Sequence, residues 1–132
     1  MRNKDDVCHI AIACNDLDKT IDFYQNILGC NLARRKDDRV TFNFFGDQLV
    51  CHLSPKDSPN KIKPYPYHFG ITFSLLEDFE NLRNLLIKNN VDLLQDYVRF
   101  EGQKDEHRTL FFSDPSNNVL EFKHYFDDKM KY

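Results

Sequence analysis

Six side chains in this sequence have the types and spacing to do chemistry together: His9, His52, His68, His107, His124 and Glu121. Neutral imidazoles and carboxylates ligate divalent metals. Two imidazoles with one carboxylate leave coordination positions open for substrate, oxygen or water. An imidazole also exchanges protons near neutral pH, so a histidine beside such a metal can act as acid or base. A single strand histidine is more often solvent-facing or hydrogen-bonded than ligating. The useful question is therefore which of the six the fold brings to one place.

Self-similarity answers part of it. Cys8-His9-Ile10-Ala11-Ile12 matches Tyr67-His68-Phe69-Gly70-Ile71, 59 residues apart from His9 to His68, and Leu17, Phe23, Ile27 and Leu28 fall on Leu76, Leu82, Leu86 and Ile87. A second match aligns Val50-Cys51-His52-Leu53 with Val119-Leu120-Glu121-Phe122. Within each half the apolar period switches from 2 to 3.6 and back. The opening strand, about Val7 to Ala13, precedes a helix carrying Leu17, Ile21, Tyr24 and Leu28 on one stripe and ending at Gly29. In the second half Ser74-x-x-Glu77 has the form of a capping box, before a stripe of Leu76, Phe79, Leu82 and Leu86 that runs to Asn89-Asn90. Strands are expected at Asn31 to Lys36, Arg39 to Phe45 and Gln48 to Leu53, then at Asp92 to Glu101, His107 to Phe112 and Asn118 to His124. Turn signals separate them at Asp37-Asp38, Gly46-Asp47 and Asp114-Pro115-Ser116-Asn117. The reading is α+β: two βαβββ modules in a single domain over 1–132, module one about 7–53, a Pro-rich linker about 54–66, and module two about 67–125. The modules are expected to form one cupped mixed sheet with the helices on its outer face.

Strand parity then sorts the chemistry. Cys8, Ile10 and Ile12 share a face opposite His9, Ala11 and Ala13; Leu49, Cys51 and Leu53 oppose Gln48, Val50 and His52. Phe69, Ile71 and Phe73 oppose His68, Gly70 and Thr72, while Leu120 and Phe122 oppose Val119, Glu121 and Lys123. The apolar faces must pack on the helices, which gathers His9, His52, His68 and Glu121 on the open face. His107 and His124 fall outside this set and are read as structural or surface residues.

Composition narrows the partners. With 41% hydrophobic residues and 12 Phe, the 132-residue chain can bury a core, and a net charge of −3 with interspersed signs gives no footprint for nucleic acid. No run approaches the roughly 18 apolar residues that span a bilayer, and the N-terminus has no apolar leader segment, so a cytoplasmic protein acting on a small molecule is expected. Cys8, Cys14, Cys30 and Cys51 have no Cys-x-x-Cys spacing and are read as core residues, with Cys8 and Cys51 on the helix-facing side.

On these residues the chain resembles the vicinal oxygen chelate superfamily, which includes glyoxalase I, extradiol ring-cleaving dioxygenases, and the bleomycin and fosfomycin resistance proteins. The likeness runs from about Val7 to Tyr125, through the histidine opening each half, Tyr24-x-x-x-Leu28-Gly29, and the closing Phe112-x-Asp114-Pro115 with Glu121. It implies that His9, His68 and Glu121 hold one divalent metal, Fe(II) or Mn(II) ahead of Zn(II) or Ni(II), and that the substrate chelates it through vicinal oxygens. At the fourth position, where glyoxalases commonly carry a glutamate, His52 implies a catalytic acid–base of the dioxygenase kind. Ala13 and Lys56 stand at two positions that contact glutathione in the glyoxalase branch, which argues against that substrate. Phe111 takes the place of a substrate-contacting tyrosine, with Tyr97 or His107 able to replace it, and Arg108 and Lys123 are candidates for an anionic substrate group. The implied activity is that of a dioxygenase-like metalloenzyme. A glyoxalase-like isomerase or lyase and a binding or resistance module without catalysis are the alternatives. Relatives form homodimers in several ways, some building the site between chains.

Overall fold

The computed structural model describes residues 2–132. Strand β1 (His9–Cys14) leads through an N-cap at Asp16, whose carboxylate accepts from the Lys19 backbone N–H at 3.0 Å, into α1 (Leu17–Ile21). The helix continues as a π-helical segment, Asp22–Ile27, whose wider turn packs the adjacent rings of Phe23 and Tyr24 inward. Gly29, at φ +74°, closes it in the left-handed conformation that glycine adopts without steric cost. Strands β2 (Asn31–Arg35), β3 (Arg39–Phe44) and β4 (Asp47–Leu53) complete module one. Module two has α2 (Leu76–Lys88), β5 (Leu93–Arg99), β6 (His107–Ser113) and β7 (Val119–Tyr125), followed by a 3₁₀ turn over Asp128–Lys131.

The α+β, two-module reading holds, but the strands do not join into one sheet. They form a four-stranded sheet in the order β1-β4-β3-β2 and a three-stranded sheet in the order β5-β6-β7. In module one β1 runs parallel to β4 over six residue pairs. The matching segment of module two, 67–73, lies parallel to β7 through the Phe69–Leu120 and Thr72–Lys123 bridges without becoming a continuous strand. Backbone bonds from Glu121 N–H to the Phe69 carbonyl (2.9 Å) and from Lys123 N–H to the Ile71 carbonyl (3.0 Å) hold it there. The capping box does not form. Leu75 is the N-cap of α2 with no side-chain bond, and the Ser74 hydroxyl instead accepts from Lys131 Nζ at 3.0 Å.

Both sheets give their apolar faces to the same core. Val40, Phe42, Phe44, Leu49 and Cys51 from the first sheet and Leu110, Phe112, Leu120 and Phe122 from the second belong to one buried cluster with Phe23 and Tyr24 and with Phe79, Leu82 and Leu86 of α2. Rings meet across the two halves, Phe44 with Phe122 at 6.2 Å and Phe23 with Phe112 at 6.2 Å between centroids. Each such ring contributes roughly 1.5–3 kcal/mol by burial. The expectation for the cysteines holds at three positions and fails at one: Cys14, Cys30 and Cys51 are buried, and Cys8 is exposed. Cys8 precedes the first paired residue of β1, so no helix covers it.

One polar group is sealed into this core. The fully buried Tyr24 hydroxyl donates to Asp114 Oδ2 at 3.0 Å, and the same carboxylate accepts from the backbone N–H groups of Ser116 (2.8 Å) and Asn118 (2.9 Å) and from Asn118 Nδ2 (2.9 Å). Burial pushes the Asp114 carboxyl above its usual range, against the pull of these donors. Tyr24→Phe is expected to lower the unfolding free energy by about 1–3 kcal/mol, the worth of a buried bond to a carboxylate, in chemical denaturation. In native protein Cys8 should react with a thiol reagent, whereas Cys14, Cys30 and Cys51 should react only on unfolding. Burial lifts the Cys30 thiol to about 12 and the Cys51 thiol higher still.

Candidate metal centre

Because the apolar faces share one core, the polar faces turn away from it, and the candidate residues divide into two half-sites. Module two holds the more complete one. Glu121, on the outer face of β7, is 5% exposed, with Oε1 accepting from the Thr109 hydroxyl at 2.8 Å. Its other oxygen, Oε2, faces His68 Nε2 at 3.2 Å and Lys123 Nζ at 3.0 Å. The His68 Nδ1 is bonded to the Pro64 carbonyl at 2.8 Å; a carbonyl only accepts, so Nδ1 carries a proton and Nε2 is the nitrogen turned to the Glu121 carboxylate. Phe111, fully buried, forms a wall with its ring 5.2 Å from the His68 ring and 5.6 Å from that of Tyr65.

This half-site depends on a close backbone approach. At Gly70 a Cβ would lie 1.8 Å from the Glu121 carbonyl oxygen and 2.9 Å from Phe122 Cδ1, so only a residue without a side chain lets segment 67–73 lie against β7.

Module one supplies His9, whose Nδ1 is 2.6 Å from Gln48 Oε1 across the β1–β4 pair. With the glutamine carbonyl on Nδ1, the His9 Nε2 faces outward with a free lone pair. His9, His52, Gln48, Val50 and Thr41 line a cavity of about 370 Å³ together with Arg34, Lys36 and Arg39. Among the described residues no three His, Cys, Asp or Glu side chains of one chain come together as a metal-binding group. The expected grouping of His9 with His68 and Glu121 on one face of one sheet is therefore not made within a chain.

The register also moves the fourth position. Ile10 pairs with Leu49 and Ala11 with Val50, while Phe69 bridges Leu120 and Gly70 abuts Glu121. Val50 thus stands level with Glu121, and His52, paired with Ala13, stands level with Lys123. The sequence alignment of His52 with Glu121 is off by two residues, an error that strand alternation cannot reveal because it preserves the face. Gln48, opposite His9, lies four residues from His52, roughly 13 Å along the strand.

Other candidates are redistributed. Arg108 points to the helix side, where it pairs with Asp96 (3.0 Å) and Glu80 (3.5 Å) and lies 5.3 Å over the Phe79 ring, so it joins the sheet to α2 and is not a substrate contact. Lys123 remains at the site through its ion pair with Glu121. His107 is buried, bonded to the Asp105 carbonyl at 2.7 Å and 4.5 Å from the Tyr125 ring; His124 is buried against the Phe73 carbonyl at 3.2 Å. Tyr97 donates to Gln95 Oε1 at 3.1 Å, and the tyrosine that meets Phe111 is Tyr65, its hydroxyl accepting from Arg99 Nη1 at 3.0 Å. Tyr65 was hidden in the Pro-rich linker, whereas Thr109 and Gln48 were accessible from parity alone.

Comparison with known proteins gives a concordant result. Residues 7–122 match the model of the glyoxalase/bleomycin resistance protein/dioxygenase superfamily. The chain is 26% identical over 122 residues to the glyoxalase domain-containing protein RDO1 of Mycosarcoma maydis, covering 92% of this chain and 69% of that one. It is 30% identical over 115 residues to the metallothiol transferase FosB of Lysinibacillus sphaericus, covering 86% and 78%. A crystal structure of a glyoxalase/bleomycin resistance protein/dioxygenase from Alicyclobacillus acidocaldarius superposes with a TM-score of 0.94 at 53% identity, covering all of both chains.

Gly70→Ala should cost at least about 1–3 kcal/mol in denaturant unfolding, because the added carbon meets backbone that cannot move aside. A variant as stable as the parent would mean that segment 67–73 does not lie where Glu121 needs it.

Proposed function

Because the chain belongs to the glyoxalase/bleomycin resistance protein/dioxygenase superfamily, we propose that it is a metal-dependent enzyme whose site joins His9 of one copy to His68 and Glu121 of a second. The observation that carries this reading is the matched preparation of the two imidazoles. Each has Nδ1 tied to a carbonyl, which leaves Nε2 as the ligating nitrogen, turned in His68 to the Glu121 carboxylate, yet the two belong to different modules of one chain. A homodimer resolves that separation. Two nitrogens and one carboxylate suit Mn(II) or Fe(II) ahead of Zn(II) or Ni(II). A bound metal would act as a Lewis acid toward the oxygens of a small substrate.

The chain's own residues set the rest. Thr109 orients the Glu121 carboxylate by donating to Oε1, leaving Oε2 as the ligating oxygen. Lys123, freed from Oε2 by a cation there, offers its ammonium to an anionic substrate oxygen. The buried Phe111 and the half-exposed Tyr65 wall the His68 side. Transfer of a thiol to the bound small molecule, the chemistry named for FosB, fits this arrangement best: Val50 stands level with Glu121, so no acid–base residue sits at the fourth position. The sulfur–carbon bond forms as a carbon–oxygen bond opens, and the thiol proton passes to the released oxygen. A dioxygenase-like reaction is the second reading, favoured by one observation, that His52 lines the same cavity as His9.

Mixing His9→Ala with His68→Ala protein tests the assembly. In a dimer with shared sites each parent variant has none intact, but the mixed dimer regains one of two; random exchange of equal amounts makes half of the dimers mixed, so Mn(II) binding should return to about a quarter of all sites. No recovery on mixing would place all ligands in one chain and sink the shared site. Turnover that consumes thiol without O₂ supports the transfer reading, and O₂ uptake coupled to product would overturn it in favour of the dioxygenase.

A further inference from the structure

The cavity beside His9 carries charge that the metal site does not use. Among the described residues Arg34 and Lys36 line it with no carboxylate within ion-pair distance, and Arg39 joins them, its Nε facing Asp38 at ion-pair distance but out of hydrogen-bond alignment. Asp38 Oδ1 lies 3.1 Å from Arg39 Nε with its side chain 65% exposed, and Asp37, also exposed, precedes it in the same turn. Asp18 is engaged elsewhere, by Arg35, which does not line the cavity. Three cations against the two exposed carboxylates of the Asp37-Asp38 turn leave a local charge of about +1 on the cavity, and the poorly aligned Arg39 Nε has capacity for a better-placed acceptor. Guanidinium groups are suited to oxyanions that accept two bonds at once.

We infer that this cavity is a binding subsite for a dianionic oxyanion group of the phosphate-monoester class, held by Arg34, Lys36 and Arg39. The sheet sets its distance from the metal end. Arg34 pairs with Thr41, one step along the outer face from the His9–Gln48 pair, and Arg39 pairs with His52, two steps along. Each step of two residues is roughly 6.6 Å along a strand and each strand crossed adds roughly 4.8 Å, so Arg39 (two steps, two strands) and Arg34 (one step, three strands) both stand roughly 16 Å from His9 at the backbone. Thr41 and Val50 floor the interval, and about 370 Å³ is room for a small elongated molecule. The ligand is thus an extended anion whose charged group is remote from its reacting end. Only this last orientation rests on the proposed metal site; the anion subsite stands on the cavity itself.

Inorganic phosphate titrated into the metal-free protein by calorimetry tests the inference, with acetate as the monoanion control. Wild type should bind phosphate more tightly than acetate, and R34Q/R39Q should weaken phosphate by at least about tenfold. R39K, which keeps the charge but loses the planar fork, should fall between them. Because the titration uses metal-free protein, a failed metal site leaves this result standing. Equal phosphate affinity in wild type and R34Q/R39Q, or acetate bound as tightly as phosphate, would overturn the subsite, as would no binding of phosphate to wild type at tens of millimolar. Unchanged denaturation midpoints for the two arginine variants guard against misfolding, and K36Q gives an independent loss if they shift.

Discussion

Packing two sheets onto one core is the constraint from which the rest follows. Phe44 reaches Phe122 and Phe69, and Phe23 reaches Phe112, so the apolar faces of both modules are committed to the same interior. Side chains alternate strictly along a strand, and a face committed inward sends its complement outward. His9 and Gln48 therefore leave the core on the outer face of one sheet, and Glu121 and Lys123 leave it on the outer face of the other. Moving any of these histidines or Glu121 by one residue would bury a polar group in an aromatic core and expose a phenylalanine, at a cost of several kcal/mol. The division of the ligands is thus a consequence of how the core is built.

Within module two, burial and function are joined at a single contact. Glu121 can be nearly buried and still have both oxygens satisfied because Gly70 lets segment 67–73 approach β7 and bring His68 alongside. An unpaired buried carboxylate would be expensive, and here Thr109, His68 and Lys123 share the compensation. The Lys123 ammonium keeps Oε2 of this carboxylate ion-paired.

How much of this the sequence revealed depended on how local each feature is. The repeat, both helices and the facing of nearly every strand follow from apolar periodicity, and they hold from Ile10 through Phe122. Register does not follow from periodicity, since a shift of two residues preserves every facing; this is why His52 was matched to Glu121 when Val50 holds that level. Charge alone does not place Arg108: it alternates with Thr109, and on its side of the sheet it meets Asp96 and, from α2, Glu80. Parity alone does not place Cys8, which precedes the first residue that β1 pairs. Whether two sheets join as one or share a core is decided by contacts between modules, which no local pattern encodes.

The two modules descend from one pattern yet divide the work unevenly. Module two holds two of the three ligand candidates beside Phe111 and Tyr65, while module one holds a single histidine at the edge of a cationic cavity. Gly70 and Ala11 occupy the same level of the repeat, and the difference there is instructive. Ala11 sits opposite Val50, where an added carbon is tolerated and no carboxylate must be approached; Gly70 sits against Glu121, where it is not. A carboxylate on one strand and a missing side chain on its neighbour belong together, and so do a valine and an alanine. The asymmetry thus extends beyond the ligands to the backbone spacing that positions them, leaving module one free to present its outer face to the length of a ligand.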